Sequence, residues 1–363
     1  MRLIFHVSRV SKIEHILTIT RTLIDKTPFP AGILDLHFIP NHQTFAVASS
    51  TGTVSFYNFQ TSRSQYQDQD QSHDPSHPTF HPIVTHQIFP TAILILSITW
   101  ILTTTPNPPL LVATLNTGEI YLLYFPSWDF LSYKIMNEGL PLATHSAESW
   151  ISAVCPTLNH IYTGGDDIKL RIHDINLYEL NQHPEIDVSV TETFKPRGHE
   201  AGITAVLPLP HLSPRLFLTG SYDDHIRIFS VLLSGQAKVV TSLYLGGGVW
   251  RLKFLSPYPL ITSPEGAVRY KVLASCMHAG VKILEVSCDE KGEEWEVEEV
   301  AWCTEHKSMN YASDVQPLCV ERNEVEMGNE NEKKKRVCVS TSFYDMLLVV
   351  WEFDPSLPPG ENS

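Results

Sequence analysis

The chain has no C-x-x-C pair and no Cys/His cluster at metal-ligand spacing, although six cysteines (155, 276, 288, 303, 319 and 338) are spread over 363 residues. That excludes the common structural zinc motifs, and a chain this long does not need disulfide staples, so the thiols are read as reduced. Long apolar runs are missing too. The most apolar stretch, residues 92–102, is about half of what a membrane span requires. The N-terminus shows no long apolar segment and no small-residue cleavage site, so no secretory signal is read there. Basic residues are scarce: 26 Lys and Arg face 40 Asp and Glu, a formal charge of −14. Such a balance repels phosphate backbones and argues against general nucleic-acid binding. No long amphipathic helical pattern and no G-x-S-x-G nucleophile elbow occur. The expectation is a cytoplasmic, monomeric protein without cofactor, metal or membrane contact.

What is present is short and alternating. Gly and Pro punctuate apolar stretches of four to eight residues, which is strand periodicity with turn spacing. Six octets stack in one register: residues 51–58 (TGTVSFYN), 117–124 (TGEIYLLY), 167–174 (DIKLRIHD), 223–230 (DDHIRIFS), 278–285 (HAGVKILE) and 345–352 (DMLLVVWE). Positions four and six are apolar in every octet, and the residue between them is mostly polar. Each octet therefore has one buried face and one wetter face. A second strand precedes each octet across a tight turn, and a third lies upstream. The octets begin 50 to 67 residues apart, the spacing of a four-stranded blade with variable loops.

The pattern resembles WD repeats. Gly198-His199 precedes the inner strand of blade four, and Asp167, Asp223 and Asp345 take the tight-turn Asp position. Trp351-Glu352 and His173-Asp174 stand where Trp-Asp is expected. The fold class is therefore all-β, a WD-repeat β-propeller over residues 1–353 with six clear blades. A seven-bladed ring with an incomplete first blade is expected, the N-terminal stretch 13–23 alternating like an outer strand. Either the ring closes with a partial or six-blade arrangement, or an N-terminal segment is lost. Residues 60–82 and 321–336 lack apolar content and are expected to be flexible inserts, and 354–363 a disordered tail.

Ordinary repeat residues need no functional account; His199 and Asp223 are expected to bond each other inside their blade. Blade five breaks the pattern. His278 replaces the turn Asp within Ala274-Ser275-Cys276-Met277-His278-Ala279-Gly280, and Gly246-Gly247-Gly248-Val249-Trp250-Arg251 occupies its inner-strand region. Three glycines allow a sharp turn or a close backbone approach. In register, Arg251 roughly matches Asp314 of blade six and Asp35 of blade one. An Arg beside such carboxylates forms either a structural ion pair or a grip for a charged ligand. Cys276 and His278, if on one strand, share a face, so either a Cys-His nucleophile pair or a His278-activated water is open. The blander readings are a buried core thiol and a turn residue replacing Asp. Arg251 or the 246–248 backbone is the candidate oxyanion donor. The turns Ser221-Tyr222-Asp223-Asp224-His225 and Thr341-Ser342-Phe343-Tyr344-Asp345 add aromatic and polar side chains beyond what a blade needs.

These segments resemble one family, the WD-repeat diphthine methylesterases. The resembling stretches are TGGDD (163–167), GSYDDHI (220–226), GGGVWRLKF (246–254), ASCMHAGVKIL (274–284), HKSMNYASD (306–314) and TSFYDMLLVVW (341–351). The resemblance implies hydrolysis of a methyl ester on diphthine-modified translation elongation factor 2, a protein substrate, before amidation to diphthamide. That substrate carries a quaternary ammonium, for which Tyr222, Trp250, Tyr311 and Tyr344 offer stacking faces, with Asp224, His225 and Asp314 as polar neighbours. A noncatalytic adaptor in the same pathway is the alternative.

Overall fold

The computed structural model describes residues 2–13, 16–60, 79–102, 108–155, 160–175, 190–194, 198–209, 216–231, 237–255, 260–261, 268–289, 294–303, 305–316 and 335–355. They form six repeated antiparallel sheets and one separate two-stranded sheet. No α-helix occurs among the described residues; Asn137–Gly139 makes a single short 3₁₀ turn.

The six octets begin the turn-and-third-strand segments of the six sheets, so the register read from the sequence is the register of the fold. Leu216–Ser221, for example, runs antiparallel to His225–Val231, with Gly220 opposite Ile226 and Leu218 opposite Ile228. The apolar positions go inward as alternation requires. Val54, Phe56, Ile120, Leu170, Ile226, Ile228, Val281 and Ile283 are fully buried. Full burial of such side chains contributes about 2 kcal/mol each. In blade six the equivalent Leu348 and Val350 are only half-buried. That sheet has three strands among the described residues, Asn310–Val315, Arg336–Ser342 and Leu348–Phe353.

The N-terminal stretch behaves differently from the expectation. Instead of an outer blade strand, it supplies Ile16–Pro28, which pairs with Arg2–Ile13 in a hairpin of its own. Local pairing across a two-residue link closes the shortest possible loop, at the smallest entropic cost. The architecture is thus a six-bladed WD-type propeller accompanied by a hairpin, and the expected fragment of a seventh blade is that hairpin.

The chain divides into two compact units. The first, residues 2–155, holds the hairpin, the first two sheets and the strand Ser149–Cys155. Its core is aromatic: Phe56 stacks on Phe130 with centroids 4.6 Å apart and meets Phe125 edge-on at 5.0 Å. Asp35 links the first two sheets, its carboxylate accepting from the Ile98 N–H at 2.9 Å and the Leu36 N–H at 3.0 Å. The second unit, residues 160–174 and 190–355, holds the rest of blade three and blades four to six. Its core joins Ile226, Ile228, Leu245 and Val249 to Val272, Ala274, Cys276 and Leu284.

Of the expected inserts, residues 61–78 and 321–334 lie outside the described residues, as does 356–363 of the expected tail. The insert boundaries shift where strands claim residues. Thr79–Gln87 pairs with Thr53–Gln60, and Arg336 opens a blade-six strand.

Candidate functional site

Blade four shows what an ordinary turn of this repeat does. His199 Nδ1–H donates to Asp223 Oδ2 at 3.0 Å, and Thr219 donates its hydroxyl to Nε2 at 2.6 Å. Arg227 Nη1 donates to both Asp223 oxygens at 2.9 and 2.8 Å, and the Glu200 N–H adds a bond at 3.0 Å. Burial opposes ionisation of Asp223, yet the bonds from His199, Glu200 and Arg227 outweigh it and hold the carboxyl well below the usual carboxylate range. Burial lowers the pKa of His199, against the pull of Asp223. His199 and Asp223 do bond each other, as expected of a structural pair.

Blade five replaces that network with backbone packing. Gly246 has φ +76°, a conformation that favours glycine. A Cβ on Gly247 would meet the Cys276 carbonyl oxygen at 2.3 Å, and one on Gly248 would meet Met277 Sδ at 2.8 Å. The glycine run therefore both turns and lets the 276–280 turn press against it. That turn closes through Cys276 N–H to Gly280 O at 2.8 Å and Ala279 N–H to Cys276 O at 2.8 Å. Its flanks are tied to both neighbours: Trp250 N–H donates to Ser275 O at 2.8 Å and Asn310 N–H to Met277 O at 3.0 Å.

The strand needed to put Cys276 and His278 on one face ends at Ser275. In the turn the two part company. Cys276 is fully buried in the second unit's core, while His278 is exposed. Burial, reinforced by the carboxylates of Glu299 and Asp224 and opposed by Lys282, pushes the Cys276 thiol up to about 12. Burial of this kind disfavours the thiolate, the form that attacks. All five described cysteines are buried, and no disulfide joins them.

Around this turn the aromatic candidates converge. Trp250 lies 5.9 Å from Tyr222 and 5.1 Å from Tyr311, centroid to centroid. The row continues from Tyr311 to Phe343 at 6.1 Å and from Phe343 to Tyr344 at 5.1 Å. Five rings from three blades thus form one connected surface. Arg251 covers the second ring of the row: its Cζ sits 4.7 Å over Trp250, and Nη1 donates to Thr204 O at 3.1 Å and Trp250 O at 2.9 Å. Phe343 and Tyr344 form the open end, 55% and 72% exposed. Burial, then the neighbouring Tyr344, raises the Tyr311 pKa.

The other polar candidates are engaged elsewhere. Asp314 pairs with Lys253 at 2.7 Å, so the ion pair on this edge uses Lys253 and not Arg251. The register explains it: Arg251 faces Ser275, whereas the blade-six residue facing the matching Ser342 is Asn310, four positions before Asp314. His225 donates from Nδ1 to Asp223 O at 2.6 Å and packs 5.2 Å from Tyr244. Asp224 adopts φ +63° at its turn tip, and its carbonyl accepts from Leu245 N–H at 2.8 Å.

Sequence reasoning missed Phe343, which completes the row, and Ser308, which anchors its open end. Phe343 stood beside Tyr344 in the same turn, so its type and place were the available signal. Ser308 carried no signal of its own.

The comparisons with known proteins follow the same lines. A family model described as WD domain, G-beta repeat, matches residues 190–230. The chain is 25% identical over 335 residues to the diphthine methyltransferase homolog of Dictyostelium discoideum, covering 90% of this chain and 78% of that protein. It is 25% identical over 323 residues to diphthine methyltransferase of Saccharomyces cerevisiae, covering 78% of each. The chain is similar to the diphthine methyltransferases, and one of its blades matches a WD repeat.

The match to the human family member is 28% identical over 198 residues, 52% of this chain and 35% of the human protein. Two solved structures are similar in fold: Sqt1 of Chaetomium thermophilum bound to the N-terminus of ribosomal protein L10, and a chain of a mitotic checkpoint complex. Their TM-scores are 0.55 and 0.56, each at 14% identity; the first covers 93% of this chain and 75% of that one. The second covers 97% and 84%. At that identity they establish the propeller fold of this chain and nothing about its chemistry.

Proposed function

We propose that the chain is a carboxylic ester hydrolase that removes the methyl ester from methylated diphthine on translation elongation factor 2, in the cytoplasm, leaving a carboxylate for amidation to diphthamide. The observation that carries this reading is the connected aromatic row of Tyr222, Trp250, Tyr311, Phe343 and Tyr344, with Arg251 over Trp250 and exposed His278 on the adjoining turn. Similarity to proteins named for methyl chemistry on diphthine supports it.

The row suits a substrate that joins a quaternary ammonium to an ester, because aromatic faces attract the cation without demanding a hydrogen bond. His278 takes a proton from water as the water oxygen attacks the ester carbonyl. Arg251, pinned over Trp250, supplies positive charge beside the tetrahedral oxyanion. Collapse expels the methoxy group, which regains the proton from His278 and leaves as methanol. Ester and water thus become carboxylic acid and methanol, and the enzyme returns to its starting state. Cys276 has no part in these steps, since its thiol is buried and protonated.

The test is direct. Purified protein is incubated with elongation factor 2 bearing methylated diphthine, and the modified peptide is weighed by mass spectrometry. Loss of the mass of one CH2 is expected; an unchanged mass with folded protein overturns the hydrolase reading. In that event the exposed tip of Phe343, Tyr344 and Met346 favours the adaptor reading, because such a tip serves docking without chemistry.

A further inference from the structure

The two ends of the aromatic row are not equivalent to a cation. Toward the Tyr222 end, the guanidinium of Arg251 already lies over the ring of Trp250. It takes one face of that ring and places a like charge beside any substrate cation bound there. At the other end, Tyr311, Phe343 and Tyr344 make a contiguous group whose outer members are 55% and 72% exposed. The charge there is of the opposite sign. Asp345, next in sequence to Tyr344, accepts from Ser342 Oγ, from Ser308 Oγ at 2.7 Å and from Lys307 N–H at 3.0 Å. The bonds from Ser342 and Ser308 hold its carboxyl below the usual carboxylate range.

The open end is also clamped. Ser308 Oγ accepts from the N–H of Tyr344 at 3.1 Å and of Asp345 at 3.3 Å, while donating to the Asp345 carboxylate. Phe343 N–H donates to Met309 O at 3.0 Å, and Ser342 N–H to Leu347 O at 2.9 Å. Beneath, His306 donates from Nδ1 to Ser342 Oγ at 2.9 Å and accepts from Ser340 Oγ at 2.7 Å. Exposed aromatic residues on a turn would ordinarily be loose. Here a single serine hydroxyl joins the strand that carries Tyr311 to the turn that carries the other two rings.

We propose that Tyr311, Phe343 and Tyr344 are the receptor for a quaternary ammonium group, with Ser308 and Asp345 as its positioning residues. The substrate then lies along the row with its cation at the blade-six end and its ester toward Arg251 and His278. The identity of the cation as part of diphthine rests on the hydrolase reading; the receptor itself does not.

The experiment titrates the full chain with choline and, separately, with its neutral isostere 3,3-dimethylbutan-1-ol, by calorimetry or ligand-observed NMR. Wild type is expected to prefer choline by about fivefold, the scale of one to two partly exposed cation–π contacts. Phe343→Leu and Tyr344→Leu, at exposed positions, are expected to remove the preference without shifting the thermal midpoint. Ser308→Ala is expected to weaken choline binding and Ser308→Thr, which keeps the hydroxyl, to restore it. Equal binding of the two probes by wild type, or an unchanged preference in Tyr344→Leu, overturns the proposal. Loss of choline binding in Ser308→Ala without rescue by Ser308→Thr removes the positioning role. A choline preference in a protein that fails to demethylate its substrate sinks the hydrolase reading alone; demethylation by a protein without the preference sinks the receptor alone.

Discussion

Blades four and five build the same turn from opposite materials. In blade four, Asp223, His199, Arg227 and Thr219 hold the turn through side chains, all of them buried or nearly so. In blade five, glycines 246–248 let backbone press on backbone, and the residue in the Asp position, His278, faces solvent. A turn held by its own side chain has none to spare. A turn held by close backbone packing leaves its tip residue available for chemistry.

That contrast is open to direct attack. The largest effect is expected at Asp223→Ala, which leaves buried Arg227 and His199 without their carboxylate and costs about 4 kcal/mol in chemical denaturation. The pH dependence has a definite sign. Asp223 has a depressed folded pKa, so its contribution is whole above the ordinary value of 3.8 and is lost as pH falls below it. His199 has a lowered pKa, so the unfolded chain takes up its proton first and stability declines as pH drops below the ordinary 6.5. Asp223→Ala is expected to flatten the acid limb between wild type and variant.

Next in size is Gly247→Ala, whose Cβ would press on the Cys276 carbonyl and the Ala279 nitrogen. About 3 kcal/mol of destabilisation is expected, with turnover disturbed through the displaced turn. His278→Ala sharpens the comparison most. Stability should change by about 0.5 kcal/mol or less, while demethylation falls about 100-fold in kcat. Equal losses of stability at His278 and Asp223 would mean that both turns are held alike. The smallest effect is expected at Cys276→Ala: about 1 kcal/mol from a small core cavity, with demethylation retained. Abolished activity in a folded Cys276→Ala protein would return the thiol to the mechanism.

Much of the fold was legible in the chain because a strand's alternation is a local property. The apolar positions of the octets, such as Ile226 with Ile228 and Val281 with Ile283, mark the buried face without any knowledge of neighbours. Three placements needed more than such a local marker. Whether residues 16–28 join a blade or their own neighbours depends on which edge is within reach, and alternation is the same either way. Cys276 and His278 share a face only if the strand continues, and the turn that separates them is imposed by the glycines some thirty positions earlier in the chain. Arg251 and Asp314 matched by eye but differ by register once hydrogen bonds are counted, which is why Lys253 takes the carboxylate.

By itself the sequence determined the repeat, the six-blade spacing and the positions where the repeat is broken, since each follows from the order of apolar, polar and turn residues along one strand. The tertiary structure alone decided what those breaks assemble. Tyr222, Trp250, Tyr311 and Tyr344 lie in three different blades, and only the packing of those blades brings their rings into one row. The same packing decides which ring Arg251 covers and which end of the row stays open. Charge and exposure at a point in space depend on residues distant in the chain, and no window of sequence contains them.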